Sequence, residues 1–338
     1  MLVSSNPTHN GPTCPQGAVR PTAVVTDGGI YRHQAHHPAM GTIFSIIAYC
    51  KTSSIFDEVA ARAFKEIDRL NRMMSHYDPH SELSEINREV SHRRVGVSLE
   101  LFDVLERALQ LSRETRGAFD ITIGPLMKAW GFFQGHGRVP SKYELDRIKK
   151  HIGWQHVHLD AATTSIAFDV PDIDLDLGAI GKGYAVDRVA EILNTAGITQ
   201  ALISSGTSSI YALGSAPDQD GWRISVCHPY DRRKTISSLW LQNRALSVSG
   251  DIEKAFWFED GFYSHIMEPS RGRPASGVSL SLVISTSAAQ SDALSTSFFV
   301  GGIEMARSYV ECHSDLTAIL YTPGTQGEVR TEELHSLA

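Results

Sequence analysis

The sequence predicts an α+β fold in which helices pack against mixed or antiparallel strands. Two observations carry that expectation. Long apolar stripes at helical spacing run through residues 56–74 and 99–115 in the first half of the chain. Between residues 200 and 285, short strand-like runs bounded by turn residues dominate instead. With 338 residues, the chain suffices for one large domain or two ordinary ones.

Residues 1–35 are rich in Pro, Gly, Thr, Ser and Asn without periodicity, and read as a disordered or loosely attached tail. The main domain is then expected over 36–330, with 331–338 as a C-terminal tail. His33, His36 and His37 have no interleaved carboxylate or cysteine, so they read as a polar entry to the first strand rather than a metal site. Residues 40–49 form that strand. The helix over 56–74 carries Val59, Phe64, Ile67, Leu70 and Met74 on one stripe, and a polar loop, 75–83, ends it. Tyr77 in that loop could stack on a ring ligand or pack back on the helix.

A second helix, 99–115, presents Leu101, Val104, Leu105, Ala108, Leu109 and Leu111, and Gly117 stops it. The segment after it, Ala118-Phe-Asp-Ile-Thr-Ile-Gly-Pro-Leu126, mixes aromatics and glycines with one buried-looking acid, Asp120. Ser141 caps a short helix to 151, with Glu144 placed as in a capping box. Residues 154–169 read as a hairpin.

The stretch Asp174-Leu-Asp-Leu-Gly-Ala-Ile-Gly-Lys-Gly-Tyr-Ala-Val-Asp187 combines three local signals. Residues 173–177 alternate like a strand, with Asp174 and Asp176 on one face. Gly178, Gly181 and Gly183 punctuate a turn. A helix with Val186, Val189, Ala190 and Leu193 on one side opens at Tyr184 and ends near Ala196. Backbone N–H groups at a helix start, close-approaching glycines and the charge of Lys182 together suit a phosphate. An ordinary strand-to-helix turn with a surface lysine fits equally. The pattern is not a P-loop, whose Gly-Lys is followed by Ser or Thr where this chain has Gly183.

Strands are expected over 200–204, 209–213, 222–226, 238–241, 246–248 and 278–285. His265 stands before a turn rich in Pro and Arg; a histidine so placed is more often a structural hydrogen-bonder than a catalyst. Residues 288–299 read as a helix ended by Gly301-Gly302. Asp292 and Thr296, four apart, share one face of it. That pair suits a hard cation such as Mg²⁺, which keeps waters and uses substrate phosphates. The alternative is a hydroxyl that back-bonds to the Asp292 carbonyl.

Composition narrows the function classes. Net charge is -7 and pI about 6.1, so no basic footprint for nucleic acid exists. Cys14, Cys50, Cys227 and Cys312 form no C-x-x-C, which argues against zinc and thioredoxin-type sites. No apolar run reaches transmembrane length and no apolar leader segment is present, so a cytoplasmic location is expected unless the start is misassigned.

Seven blocks in register resemble the ApbE-type FAD:protein FMN transferases, over about residues 38–322. They are Met40-Gly-Thr42; the stretch from Ser75 to Asn87; Gly117-Ala-Phe-Asp-Ile-Thr122 with Gly124-Pro125 and Trp130-Gly-Phe132; Asp176 to Asp187; Ser249-Gly-Asp251; His265 with Pro269 and Gly272-Arg-Pro274; and Asp292-Ala-Leu-Ser-Thr296. The resemblance implies a single two-lobed domain of T-fold type with FAD in a cleft. It implies Mg²⁺-assisted transfer of FMN to a Thr or Ser hydroxyl of a target protein, with AMP leaving. By motif, Met40, Tyr77, Ala118, Phe119, Asp120, Asp176, Lys182 and His265 fall on FAD-contacting positions. Ala179, through its carbonyl, Asp292 and Thr296 fall on metal positions. His265 then fits a general base toward the incoming hydroxyl, and Lys182 a charge that offsets the bridging oxygen. Asp120 and Asp176 fit acceptors for the adenine amino group or a ribose hydroxyl. The same site would serve a Mg²⁺-dependent FAD pyrophosphatase. A non-catalytic FAD-binding protein is disfavoured by the intact Asp292, Thr296 and His265. The chain departs from the family pattern at Ser205-Gly-Thr207, Val248, Glu268 and Arg271, none of them in the metal pair.

Overall fold

The computed structural model describes residues 29–89, 93–133, 135, 137–250, 255–259, 261–325 and 328–336. A hairpin opens the fold: β1 (Tyr31–Ala39) pairs antiparallel with β2 (Thr42–Cys50). Its two turn residues, Met40 and Gly41, have φ of 48° and 70°, the positive values a tight hairpin turn needs. Strand β1 thus starts inside the segment expected to be a tail. Helix α1 (Ser53–Met74) explains why, since the rings of His33 and His37 stack on its Phe56 and Phe64 at 5.3 and 4.9 Å. Histidines that read as polar are here half of an aromatic contact.

Helix α2 (Glu82–Glu89) buries only Leu83 and Ile86, too few positions for a period to show in sequence. Strand β3 (Val95–Gly96) precedes α3 (Leu99–Glu114), whose cap Ser98 accepts the Leu101 N–H. Gly117, at φ 81°, donates to the Ser112 carbonyl at 2.8 Å and closes α3. The short helices α4 (Gly124–Ala129) and α5 (Lys142–Ile148) follow. Ser141 caps α5, but Glu144 pairs with Arg138 and leaves the capping box half made. Strands β4 (Val157–Asp160) and β5 (Ser165–Phe168) form the expected hairpin, which β3 extends to three strands.

Residues 173–177 do not form a strand. They run extended between two other loops: Asp176 N donates to Ile121 O at 2.7 Å, Gly124 N donates to Asp174 O at 3.1 Å, and the Asn87 side chain brackets Leu175 with a bond each way. Ile173, Leu175 and Leu177 are buried all the same, so the alternation is real while the ladder is absent. Helix α6 (Gly181–Thr195) starts three residues before Tyr184 and takes two of the three glycines into its first turn.

Strands β6 (Ala201–Ser205) and β7 (Ser209–Leu213) form a hairpin, as do β8 (Trp222–Cys227) and β9 (Thr235–Leu241). Next come β10 (Arg244–Gly250), the hairpin of β11 (Ala255–Phe258) with β12 (Gly261–Ser264), and the short pair β13 (Met267–Glu268) and β14 (Arg273–Pro274). Strand β15 (Leu280–Ser285) leads into α7 (Ala288–Glu311). This helix does not end at Gly301-Gly302; it kinks at Gly302 (φ 74°) and resumes. The chain finishes with β16 (Thr317–Pro323) and β17 (Val329–His335), so residues expected as a C-terminal tail are a sheet strand.

Eight strands make the main sheet in the order β1-β2-β6-β7-β10-β15-β16-β17, every neighbouring pair antiparallel. Side chains alternate between its faces. Phe44, Ile46, Ala245, Val283 and Leu320 face the helices in the large core. Leu202, Leu246, Leu282 and Ile319 face a smaller core closed by Trp222, Ile224 and Val226 of β8. The observed class is α+β with antiparallel sheets. Among the described residues no helix is long and apolar enough to cross a membrane.

Candidate active site

The N-termini of α6 and α7 meet. Gly183 N, in the first turn of α6, donates to Asp292 Oδ2 on α7 at 3.0 Å. A side chain at 183 would forbid this contact, because a Cβ there would lie 2.2 Å from the Ala288 carbonyl oxygen. Asp292 is 4% exposed, and among the described residues its Oδ1 makes no hydrogen bond. One turn along, Thr296 does not back-bond to the Asp292 carbonyl. Ser295 does that, at 3.0 Å, while the Thr296 hydroxyl meets Ser249 Oγ at 3.2 Å. Lys182 Nζ donates to the Gly178 carbonyl at 2.8 Å and lies over the loop that carries Ala179. A carboxylate and, one turn along, a hydroxyl therefore stand beside a helix start that bears a lysine. Hard cations favour oxygen sets of this kind. Among the described residues no cluster of three His, Cys, Asp or Glu side chains offers a rival metal site.

From this junction the extended run 173–178 leads back to the flavin-matched positions. Asp176 Oδ1 accepts the Gly178 N–H at 2.8 Å. Partial burial and the nearby Asp176 charge both push the Tyr77 hydroxyl above its ordinary pKa. Tyr77 is 65% exposed and meets Phe133 edge-on at 5.7 Å, so its ring stands out of the surface instead of packing on α1. Beside it opens a cleft of about 580 Å³, whose walls include Asn87, Arg88, Lys128 and Asp174.

Asp120 is buried, and both of its oxygens accept hydrogen bonds from the loop around it. Oδ1 accepts Thr122 N and Oγ1 at 2.9 and 2.7 Å, and Oδ2 accepts Trp154 N at 2.9 Å. Burial raises its pKa against those three donors. Its carboxylate thus holds the loop with three of its roughly four acceptor sites, and Oδ2 carries a single bond. Phe119 is buried, with its N–H on Thr115 Oγ1 at 3.3 Å, and Ala118 is partly exposed beside it. Met40, in the left-handed region where non-glycine residues are uncommon, forms the turn at the start of β2. His265 sits in the bend between β12 and β13. Trp130 anchors that region to α4: its Nε1 donates to Gly272 O at 3.0 Å, and its ring packs on Tyr263. Asp251, in one of the matched blocks, lies outside the described residues.

The family model described as the ApbE family matches residues 40–320. The chain belongs to the ApbE family. It is 33% identical over 284 residues to an FAD:protein FMN transferase of Vibrio cholerae, covering 82% of this chain and 83% of that one. Against the FAD:protein FMN transferase of Escherichia coli it is 29% identical over 259 residues, covering 75% and 74%. Among solved structures, the ApbE protein of Thermotoga maritima superposes with a TM-score of 0.81 at 27% identity, over 90% of this chain and 97% of that one. The flavin transferase ApbE of Vibrio cholerae gives 0.78 at 27% identity, over 90% and 98%.

The ApbE resemblance of the motifs does not reveal everything at the site. Asp174 pairs with Lys128 Nζ at 2.6 Å and His76 Nε2 at 3.0 Å. Burial alone would raise the Asp174 carboxyl, but these two partners outweigh it and hold it below the usual carboxylate range. His76 also stacks on Phe133 at 4.0 Å, which braces the ring that meets Tyr77. The three partners come from segments about 50 residues apart, so no local spacing announces them.

Proposed function

We propose that this chain is a Mg²⁺-dependent FAD:protein FMN transferase that moves FMN from FAD to a Thr or Ser hydroxyl of a target flavoprotein and releases AMP. The observation that supports it most is the junction of Gly181-Lys182-Gly183 with Asp292, one helical turn from Thr296. The name shared by the relatives points the same way.

Each residue has a task in that reaction. Asp292, Thr296 and the Ala179 carbonyl would hold Mg²⁺. The bound ion supplies charge neutralisation on pyrophosphate oxygens, which phosphoryl transfer needs more than covalent help. The Lys182 ammonium exchanges its Gly178 carbonyl for phosphate oxygen and offsets the charge that collects on the leaving AMP. Tyr77 offers an exposed ring face to a flavin or adenine ring. Met40, Asp176 and the backbone of 118–120 line the rest of the FAD path. The acceptor hydroxyl oxygen bonds to the FMN-side phosphorus as the bond from that phosphorus to the bridging oxygen breaks. AMP leaves with the electron pair, and His265 takes the hydroxyl proton.

Incubation with FAD, Mg²⁺ and candidate flavoproteins, followed by intact-protein mass spectrometry, tests this. A mass increase of one FMN on the target, localised to Thr or Ser, is the expected result. Free FMN and AMP without an adduct would reassign the chain to the pyrophosphatase reaction. Absence of both products would leave only FAD binding.

A further inference from the structure

Asp187 closes the Asp174-to-Asp187 stretch, yet it reaches none of the positions matched to FAD or metal. Its carboxylate crosses to the start of α7. Oδ1 accepts the Ala288 N–H at 2.6 Å, and Oδ2 accepts the Ala289 N–H at 3.0 Å and the Ser287 hydroxyl at 2.7 Å. The first N–H groups of any helix lack partners within it. In return, Asp292 of α7 accepts the Gly183 N–H in the first turn of α6. Each helix start is therefore capped by a carboxylate from the other helix.

Capping alone does not require this. Ser287 already caps α7, with its Oγ accepting the Gln290 N–H at 3.3 Å. A second, buried carboxylate carries a desolvation cost, and burial indeed raises the Asp187 pKa. What the second cap adds is geometry. Three donors from consecutive residues, shared between both carboxylate oxygens, fix the first α7 turn against α6. Asp292 lies one turn further along and Thr296 two turns, while Ala179 lies just before α6.

We propose that Asp187 is a positioning residue for the cation: it sets the spacing between the Ala179 carbonyl and the Asp292–Thr296 pair. The proposal rests on those three residues being the cation ligands. Mg²⁺ demands near-ideal octahedral geometry, whereas Ca²⁺ accepts irregular shells at longer distances. Loss of the positioning contact must therefore weaken Mg²⁺ more than Ca²⁺. Asn at 187 keeps the size but offers only one acceptor oxygen to donors that now use two.

The test is calorimetric titration of FAD-loaded wild type, Asp187→Asn and Ser287→Ala with Mg²⁺ and with Ca²⁺. FAD affinity without metal and melting temperature are measured alongside. Asp187→Asn is expected to weaken Mg²⁺ by about 10–100-fold, the usual effect of losing an outer-shell partner. The Ca²⁺ loss should be clearly smaller and metal-free FAD affinity unchanged. Ser287→Ala, which removes one of the three donors, should show the same Mg²⁺-selective loss to a lesser degree, and it decides the matter if Asp187→Asn does not fold. A lower melting temperature with Mg²⁺ affinity intact, or equal losses of Mg²⁺ and Ca²⁺, would reduce Asp187 to an ordinary cap. Wild type that binds neither ion would remove the ligand assignment itself, an outcome distinct from the other two.

Discussion

Among the described residues the Asp292 carboxylate engages one partner with one oxygen. Oδ2 takes the Gly183 N–H, and Oδ1 makes no hydrogen bond among the described residues. Asp292→Ala should abolish Mg²⁺-dependent transfer and leave FAD binding measurable by flavin fluorescence, because the ring and ribose positions lie on other segments. Thr296→Val should act in the same direction more weakly, since a neutral hydroxyl contributes less to a hard cation than a carboxylate does. Full Mg²⁺-dependent turnover in Asp292→Ala would remove the metal assignment. His265 separates chemistry from binding. His265→Ala should lower the transfer rate at saturating FAD by about 10²–10⁴, the range for positioned proton transfer. It should also erase the acidic limb of the wild-type pH profile and leave metal binding unchanged. A loss that saturating FAD repairs would instead make His265 a binding residue.

Glycines at the start of α6 differ in what they permit. At Gly183 an added Cβ would strike Ala288 backbone, which cannot swing away; at Gly181 it would only touch Met74 Cε at 3.7 Å. Gly183→Ala should therefore cost about 1–3 kcal/mol, the usual range for overpacking, while Gly181→Ala should be near neutral in urea unfolding. Equal midpoints for the two variants would contradict the helix junction. The braid of loops behind α6 has its own signature. Because its partners depress the Asp174 pKa, its stabilisation is complete above the ordinary carboxylate range and is lost as pH falls below that range through the depressed folded-state pKa. The melting-temperature gap between wild type and Asp174→Asn should be widest near neutrality and narrow progressively as pH falls below about 4, the reference value for aspartate. A gap constant from pH 7 to 3 would mean that the His76 and Lys128 pairing adds nothing. Legibility in the sequence follows the same physics. α1, α3 and strand β8 are visible because each buries a periodic face. Residues 173–177 mislead because alternation reports burial on one side, not a hydrogen-bonded neighbour. The Asp292–Thr296 pair is legible from i, i+4 spacing. Its link to Gly183, and the reciprocal reach of Asp187, span about 100 residues and leave no periodic trace.

At the scale of the whole molecule, the first hairpin and the last strand stand at opposite edges of one eight-stranded sheet. Helix α7 lies across that sheet, in contact with β7, β10, β15, β16 and β17. The last strand is thus part of the platform that holds α7, the helix that carries Asp292 and Thr296. Leu334 of β17 is buried in the same core as Phe298 and Val310 of α7, and Arg307 of α7 pairs with Glu332. A chain ending at residue 328 loses the seven β16–β17 pairs, from Thr317 with His335 to Pro323 with Val329. It also exposes the core that Leu334 covers; one leucine side chain is worth about 1.5–3 kcal/mol of burial. The truncated protein should melt at a lower temperature. It should also bind Mg²⁺ more weakly in the presence of FAD, because α7 loses support on the side of β16. Metal-free FAD affinity should hold, since Tyr77, the 118–120 loop and Asp176 lie outside β16, β17 and α7. Scanning calorimetry with parallel FAD and Mg²⁺ titrations measures all three. If the truncated chain melts with wild type and keeps its Mg²⁺ affinity, β17 is an appendage and α7 is held by the α6 junction alone.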